Sequence, residues 1–541
     1  MIFQRNNTVQ KTKKVRKRSK KARKTTFWKT LKHNGVLFTP LYQPQNLTIS
    51  IKGNKIRLTS QQEEMAWAWA AKQNTHYVND EVFASNFLSD FRKILPSEYS
   101  KVKIEDIDFS DIIQFQEKKK ELKSQPEVKK KLAAERKKQR EYLKEKFGFA
   151  EINGCKTEIA NYAVEPPGIF MGRGKHPLRG RWKRRIYPED ITLNLSRDVN
   201  LPALPENQKW GKRVHDHQSM WLASWFDKLT GKIKYVWPHD NSTIRQQRDK
   251  IKYDKAQKLL PKLGRIRKHI MNGMVSKDDK ERKVASVCYL IDKLCMRVGD
   301  EKDEDEADTV GASTLRVEHV KVTPDTIQFN FLGKDSIPWS KSLSEKGENS
   351  VLFRKNVESF MNGKKSEETI FTGVRSSDVN RFLGESMKGL TAKVFRTFHA
   401  TSITNKYLLQ HIDRKEDPDF QKIFHARMAN LEAAITCNHK RTPPKNWEQS
   451  IEKKRNNLKR INANLPKNKK AKKRYAERVL KAKLALKLAS YTKDYNLNTS
   501  QRNYIDPRIY KSWSDRVNMD WQKIYPKTLQ NKFSWVAESK S

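Results

Sequence analysis

Cysteine is scarce in this chain of 541 residues, limited to Cys155, Cys288, Cys295 and Cys437. None is paired at a CxxC spacing, so neither a zinc ribbon nor a disulfide framework is indicated, and a reducing compartment fits. No apolar run approaches the roughly 18 residues that a spanning helix needs, and no signal-peptide h-region is expected near the start. Negative charge is also in deficit: 62 Asp and Glu stand against 112 Lys and Arg, a formal net charge of +50. The excess runs along the whole chain, and its natural counterpart is a polyanion. Nucleic acid leads, because each cation placed on a phosphate releases condensed counterions. Composition alone leaves open a basic binder of the ribosomal or chromatin type with no chemistry. The length predicts about three or four compact units.

Residues 1–25 hold eleven Lys or Arg and no Asp or Glu. Such a block repels itself and reads as a disordered arm, either a nuclear-localisation or DNA-contacting segment or a solvated tail. Order is expected from Phe27-Trp28. A strand-like alternation follows at Leu47–Lys52, then a helical pattern from Gln61 to Leu95 with Phe83, Phe87 and Phe91 on one face. Glu117–Phe147 reads as one highly charged helix. The loop Glu165-Pro-Pro-Gly to Pro177 and the run Arg179–Arg185 combine glycines, guanidinium groups and an aromatic, a composition suited to a phosphate backbone. His215-Asp216-His217 lacks a third or fourth ligand at a useful spacing, so a metal is not expected there.

Further on, Glu281–Met296 is amphipathic, with Arg297 at its end and Gly299 as C-cap. Thr314–Val322 and Ile327–Leu332 read as strands, followed by a turn at Gly333-Lys334-Asp335. Leu390–Leu408 and Leu431–His439 read as helices. Trp447–Ser490 holds two basic helical runs, with Ile451, Leu458 and Leu465 at heptad spacing, which predicts an antiparallel coiled-coil hairpin. The last fifty residues, with Tyr504 and three tryptophans, are expected to pack as a small unit of their own. Tyr504 lies between Arg502 and Arg508, and a phenol of pKa about 10 needs cations to become a nucleophile at neutral pH.

Arg297, Lys334, Arg396, His439 and Tyr504 form a set suited to transesterification of a DNA phosphodiester. A tyrosine oxygen attacks phosphorus, guanidinium groups and a histidine N–H stabilise the non-bridging oxygens, and a lysine protonates the leaving oxygen. With these fixed cations no metal or other cofactor is required. Spacing alone does not select these five. The segments Asp-Lys-Leu-Cys-Met-Arg297-Val-Gly, Phe-Leu-Gly-Lys334-Asp-Ser-Ile, Ala-Lys-Val-Phe-Arg396-Thr-Phe, Cys-Asn-His439-Lys-Arg-Thr-Pro-Pro-Lys and Asn-Tyr504-Ile-Asp-Pro-Arg resemble, in order, the active-site motifs of eukaryotic type IB DNA topoisomerase. Glu165-Pro-Pro-Gly and Gly172-Arg-Gly-Lys-His-Pro resemble that family's DNA-clamping cap.

The resemblance implies an α+β, mostly α fold: a bilobed clamp on duplex DNA, with a mixed α/β cap and a helical, tyrosine-recombinase-like catalytic lobe. It further implies a disordered tail (1–26), a cap (27–242, with 46–128 inserted), a catalytic core (243–442), a coiled-coil linker (443–490) and a C-terminal domain (491–541). Tyr504 would be nucleophile, Lys334 general acid, and Arg297, Arg396 and His439 stabilisers of the transition state. Arg173, Lys175, Arg184, Arg185, Asp335 and Asn503 are the expected DNA contacts; Arg173, Asp335 and Asn503 match positions where camptothecin-class drugs stack in the family. ATP-independent relaxation through a 3′-phosphotyrosyl link, a monomer, and a nuclear site of action (or a viral DNA compartment) follow by the same resemblance. Gln501-Arg502 stands where the family has Lys-Leu, and Thr397-Phe398-His399 where it has Thr-Tyr-Asn. A tyrosine recombinase shares the chemistry but would lack the cap motifs and the hairpin.

Overall fold

In the computed structural model the described residues are 26–172, 174–299, 310–334, 337–344, 347–466 and 468–537. The basic arm, Arg173 and Asp335 lie outside them. Trp28 opens the first core: it is 2% exposed, donates its indole N–H to the Ser219 carbonyl at 2.8 Å, and meets His215 edge-on at 5.1 Å. The His-Asp-His triplet is therefore packing around a tryptophan. Among the described residues no group of three or more His, Cys, Asp or Glu is arranged to hold a metal ion. This core lies between a three-stranded sheet (Leu31–His33, Phe149–Ile152, Cys155–Glu158) and a four-stranded one. In the latter, Ala223–Asp227 pairs with Lys232–Val236 in a hairpin that turns at Gly231.

Between the first two strands of that core lies a second one. Thr48–Ile51 is flanked by Asn54–Arg57 and Ile107–Asp108 beneath three helices, Ser60–Ala70, Glu81–Arg92 and Ser110–Ser124. Phe83, Phe87 and Phe91 are fully buried on the one face that their spacing predicts, with Trp69 stacked on Phe87 at 4.4 Å. Thr59 and Gln62 form a capping box at the start of the first helix, and Asp80 caps the next. The single charged helix expected over 117–147 is two, Ser110–Ser124 and Pro126–Phe147, because Pro126 has no N–H to continue the first and is well placed to start the second.

The run Arg179–Arg185 staples the two cores together. Arg179 grips Asp80 at 2.7 and 2.9 Å, Arg181 pairs with Asp90 at 3.0 Å, and Arg185 reaches Glu64 at 2.7 Å. Gly180 (φ +92°) sits against the Phe83 carbonyl, where a Cβ would come within 2.1 Å, so no other residue fits.

The largest core is built from the Leu263–Met274, Asp279–Leu294, Glu348–Met361 and Ser376–Ser386 helices and an antiparallel sheet, Val320–Val322, Thr326–Gly333 and Ile337–Ser344. Two expectations are corrected. The strand over 314–322 shrinks to Val320–Val322, preceded by short 3-10 turns at Ala312–Thr314 and Val317–His319. The amphipathic helix stops at Leu294, where Cys295 takes the left-handed conformation (φ 54°), well before Gly299. Arg297 is thus outside the helix.

Helices Ala392–Gln410 and Asp419–Thr436 pack on each other; the latter starts twelve residues earlier than its expected Leu431. Trp447–Ala463 and Lys469–Tyr491 then run side by side, with Ile451 buried and Leu465, the third heptad position, 75% exposed at the turn. The C-terminal residues do not form a core of their own. Tyr510, Trp513, Trp521 and Phe533 share one with Tyr253, Leu408, Ala426 and Ala433.

Candidate active site

Tyr504 is anchored on both sides. It follows the Leu497–Asn503 helix, and its N–H closes the last turn on the Ser500 carbonyl at 2.9 Å. Ser500 donates to Asn430 Oδ1 at 2.7 Å. The Thr401 hydroxyl donates to the Tyr504 carbonyl at 3.2 Å and accepts the Asp506 N–H at 3.1 Å. Asp506 then caps the Pro507–Arg516 helix. Further back, the Asn496 N–H bonds to the His439 carbonyl at 2.7 Å, so the chain returning from the helical pair is tied to the His439 loop itself.

The cations around the phenol come from far away in sequence. Arg297 Nη1 donates to the Tyr504 hydroxyl at 3.5 Å, the Arg396 guanidinium carbon lies 5.1 Å from the ring centroid, and the His439 ring centroid is also 5.1 Å away. Tyr504 is 7% exposed. Burial opposes its ionisation, yet Arg396 and Arg297 outweigh that and hold its pKa below the ordinary phenol value. Arg297 is held by its backbone: its carbonyl accepts the Ala312 N–H at 2.8 Å, and Gly299 lies against Gly311 so closely that a Cβ on Gly311 would fall 2.5 Å from the Gly299 backbone.

Arg396 is 4% exposed and donates to the carbonyls of Cys295 (2.8 Å) and Cys437 (3.0 Å). Its Nη2 also lies 3.3 Å from His439 Nε2. A guanidinium nitrogen has no lone pair to offer, so Nε2 is the acceptor and the imidazole proton sits on Nδ1. Burial, then Arg396 and Arg297, push the His439 pKa down to about 3, so the ring is neutral across the physiological range. His439 Nδ1 and Arg396 Nε are both buried without a hydrogen-bond partner among the described residues. Buried donors of this kind fit an oxyanion.

Two cavities meet here. One, about 290 Å³, is lined by His439, Cys437 and Trp339; the other, about 950 Å³, by Tyr504, Asn503 and Lys252; Arg297, Arg396 and Lys334 line both. Lys334 is exposed directly after the Thr326–Gly333 strand. The structure therefore brings Arg297, Arg396, His439 and Tyr504 together, with Lys334 at the rim. Asn503 is exposed beside the tyrosine, and Lys175 is exposed in the cap loop.

One further expectation is corrected. Arg502 and Arg508, the sequence neighbours of Tyr504, serve carboxylates instead: Arg502 binds Asp240, and Arg508 binds Asp506 and Asp254 at 2.7 Å each. Arg184 and Arg185, the expected DNA contacts, also have partners within the protein: Arg184 bonds Asp190 at 3.0 Å, and Arg185 bonds Glu64 and the Thr39 and Pro40 carbonyls. Two contributors escaped the sequence reading. Thr401 fixes the Tyr504 backbone, and Lys252 donates to the Asn503 carbonyl at 3.1 Å; burial brings the Lys252 ammonium down to about 8 despite Asp249 beside it. Neither stands in a segment whose pattern differs from an ordinary helix.

Comparison with known proteins gives the family. Residues 26–238 match "Eukaryotic DNA topoisomerase I, DNA binding fragment", 241–472 the "catalytic core", and 476–541 the "C-terminal topoisomerase domain". Arabidopsis thaliana DNA topoisomerase 1 alpha is 36% identical over 94% of this chain and 58% of its own length. Homo sapiens DNA topoisomerase 1 is 35% identical over 94% of this chain and 71% of its own. The chain thus spans little more than half of the plant relative. It belongs to the eukaryotic DNA topoisomerase I family.

Proposed function

We propose that this chain relaxes supercoiled duplex DNA of either sign by transient cleavage of one strand, without ATP or a metal ion. Tyr504 Oη, its proton released to solvent, attacks a backbone phosphorus and the 5′ oxygen leaves, conserving the bond as a 3′-phosphotyrosyl ester. The 5′ end then rotates and attacks the ester in reverse. Arg297 and Arg396 lower the phenol pKa in the free enzyme and neutralise the non-bridging oxygens as charge develops there. His439, neutral, donates from Nδ1 without transferring its proton. Lys334, at the rim, protonates the leaving oxygen once DNA fills the cleft. Lys175 and Asn503 contact the strand, as do Arg173 and Asp335. The cap of residues 27–242 and the core of 243–442 close round the duplex as a clamp, the pair Trp447–Ala463 and Lys469–Tyr491 acts as a coiled-coil linker, and a single chain suffices, acting in the nucleus.

One observation carries this reading: four side chains spread over some two hundred positions of sequence converge on a site whose buried phenol has a depressed pKa. The test is relaxation of negatively and positively supercoiled plasmid in EDTA without nucleotide. The wild type should relax both in steps. Tyr504→Phe should bind DNA and relax neither; relaxation by that variant would refute the assignment.

A further inference from the structure

Lys341 is an ammonium group where the strand pattern calls for an apolar side chain. In Ile337–Ser344 the inward positions are Ile337, Trp339, Lys341 and Leu343. Its Nζ lies 5.5 Å from the Trp339 ring centroid, and no carboxylate is within ion-pair distance among the described residues. Lys341 is satisfied instead by two main-chain oxygens, the carbonyls of Leu294 (3.2 Å) and Thr436. Each belongs to the last residue of a helix, Asp279–Leu294 and Asp419–Thr436. Terminal carbonyls lack an intrahelical partner and carry the negative end of the helix dipole, so one cation between two such ends is favourable to both.

The two helix ends lead directly into the site. Arg297 lies three residues after Leu294, and His439 three residues after Thr436. In both segments a left-handed residue turns the chain, Cys295 (φ 54°) in one and Asn438 (φ 53°) in the other. The intervening carbonyls, of Cys295 and Cys437, are those that Arg396 bridges. Lys341 and Arg396 thus form two successive rungs between the same two chain ends, and the second rung is itself part of the site. The hairpin that carries Lys341 also carries Lys334 beyond its other strand. One side chain therefore ties together the three segments that present Arg297, Lys334 and His439.

We propose that Lys341 is a positioning residue for strand cleavage, setting the spacing of Arg297 and His439 across the reacting phosphate. This rests on the function proposed above. Removing the lower rung leaves the cations present but lets the two ends shift, and a displacement of about 1 Å in such a site lowers the rate about 10²-fold.

The experiment is single-turnover cleavage of a 5′-end-labelled duplex with enzyme in excess, alongside DNA affinity. Lys341→Met, which keeps the length of the side chain, is expected to cleave about 100-fold more slowly with affinity within about twofold. Lys341→Arg, whose guanidinium can reach both carbonyls, should recover most of the rate. In a His439→Gln background Lys341→Met should lose less than about tenfold, because one of the two groups whose spacing it sets is gone. If Lys341→Met cannot be purified, Lys341→Gln, able to bond one carbonyl, takes its place with an intermediate rate. A wild-type rate in Lys341→Met or Lys341→Gln overturns the proposal, as does an undiminished loss in the His439→Gln background. Absence of cleavage by the wild type would instead refute the function, and the inference with it.

Discussion

Arg297 and Tyr504 are separated by 207 positions in sequence, and the Arg297 guanidinium donates to the phenol oxygen at 3.5 Å. Burial by itself would raise the Tyr504 pKa, and Arg396 first and then Arg297 reverse it. Replacing Arg297 by Ala should slow strand cleavage by about 10²–10³-fold, the usual loss for one donor to a developing oxyanion. It should also move the limb on which the rate rises with pH to higher pH, because the phenol pKa goes up when Arg297 is lost. Single-turnover rates against pH check both.

His439 should not titrate in the working range. Its pKa is near 3, so it is uncharged from pH 5 upward and gains no proton on the way to neutrality. Cleavage rates should show no step near pH 6.5 that His439→Gln abolishes. That variant should be slower by about 10–10²-fold, as expected when a neutral donor is weakened, with a profile of unchanged shape.

How far this was legible in the sequence depends on the kind of contact. Phe83, Phe87 and Phe91 revealed their helix face because local periodicity determines it. The set Arg297, Lys334, Arg396, His439 and Tyr504 was legible only through motifs, since in a chain with 112 basic residues spacing singles out none. Arg502 misled because adjacency along the chain was read as adjacency in space, whereas its guanidinium turns to Asp240. The partner that Arg185 has within the protein could not be read from any local pattern, because Glu64 is 121 positions away. The left-handed Cys295 had no signal, because cysteine seldom takes that conformation and tertiary packing imposes it here.

Arg502 and Asp240 give a contrast in stability. Asp240 is 9% exposed in its side chain and faces Arg245, Arg502 and the buried Lys532, whereas Arg502 is 54% exposed. Asp240→Asn should cost about 3 kcal/mol, because it strips charge from a buried cluster. Arg502→Leu should cost less than about 1 kcal/mol, as exposed pairs do, and leave plasmid relaxation within a few-fold of wild type. Denaturant unfolding and relaxation assays separate the two effects.

His33 links stability to pH. It is 4% exposed, its Nδ1 accepts the Gly35 N–H at 3.1 Å, its Nε2 donates to the Asn194 carbonyl at 3.1 Å, and burial lowers its pKa from 6.5 to about 4. Above pH 6.5 neither folded nor unfolded chain protonates it. Below that the unfolded chain gains a proton the folded one refuses, so stability falls as pH drops from 6.5 towards 4. Between pH 7.5 and 5 this single group accounts for about 2 kcal/mol. His33→Gln should shrink the difference in denaturant unfolding between those two pH values by that amount.

The most direct test of the account is the identity of the DNA-linked residue. A 5′-end-labelled duplex is mixed with the wild type, the reaction is stopped with detergent, and the labelled peptide is mapped by mass spectrometry. The label should be joined through a 3′ phosphate to Tyr504, and Tyr504→Phe should yield no linked peptide. A link to any other residue, or persistence of the link in Tyr504→Phe, would contradict it.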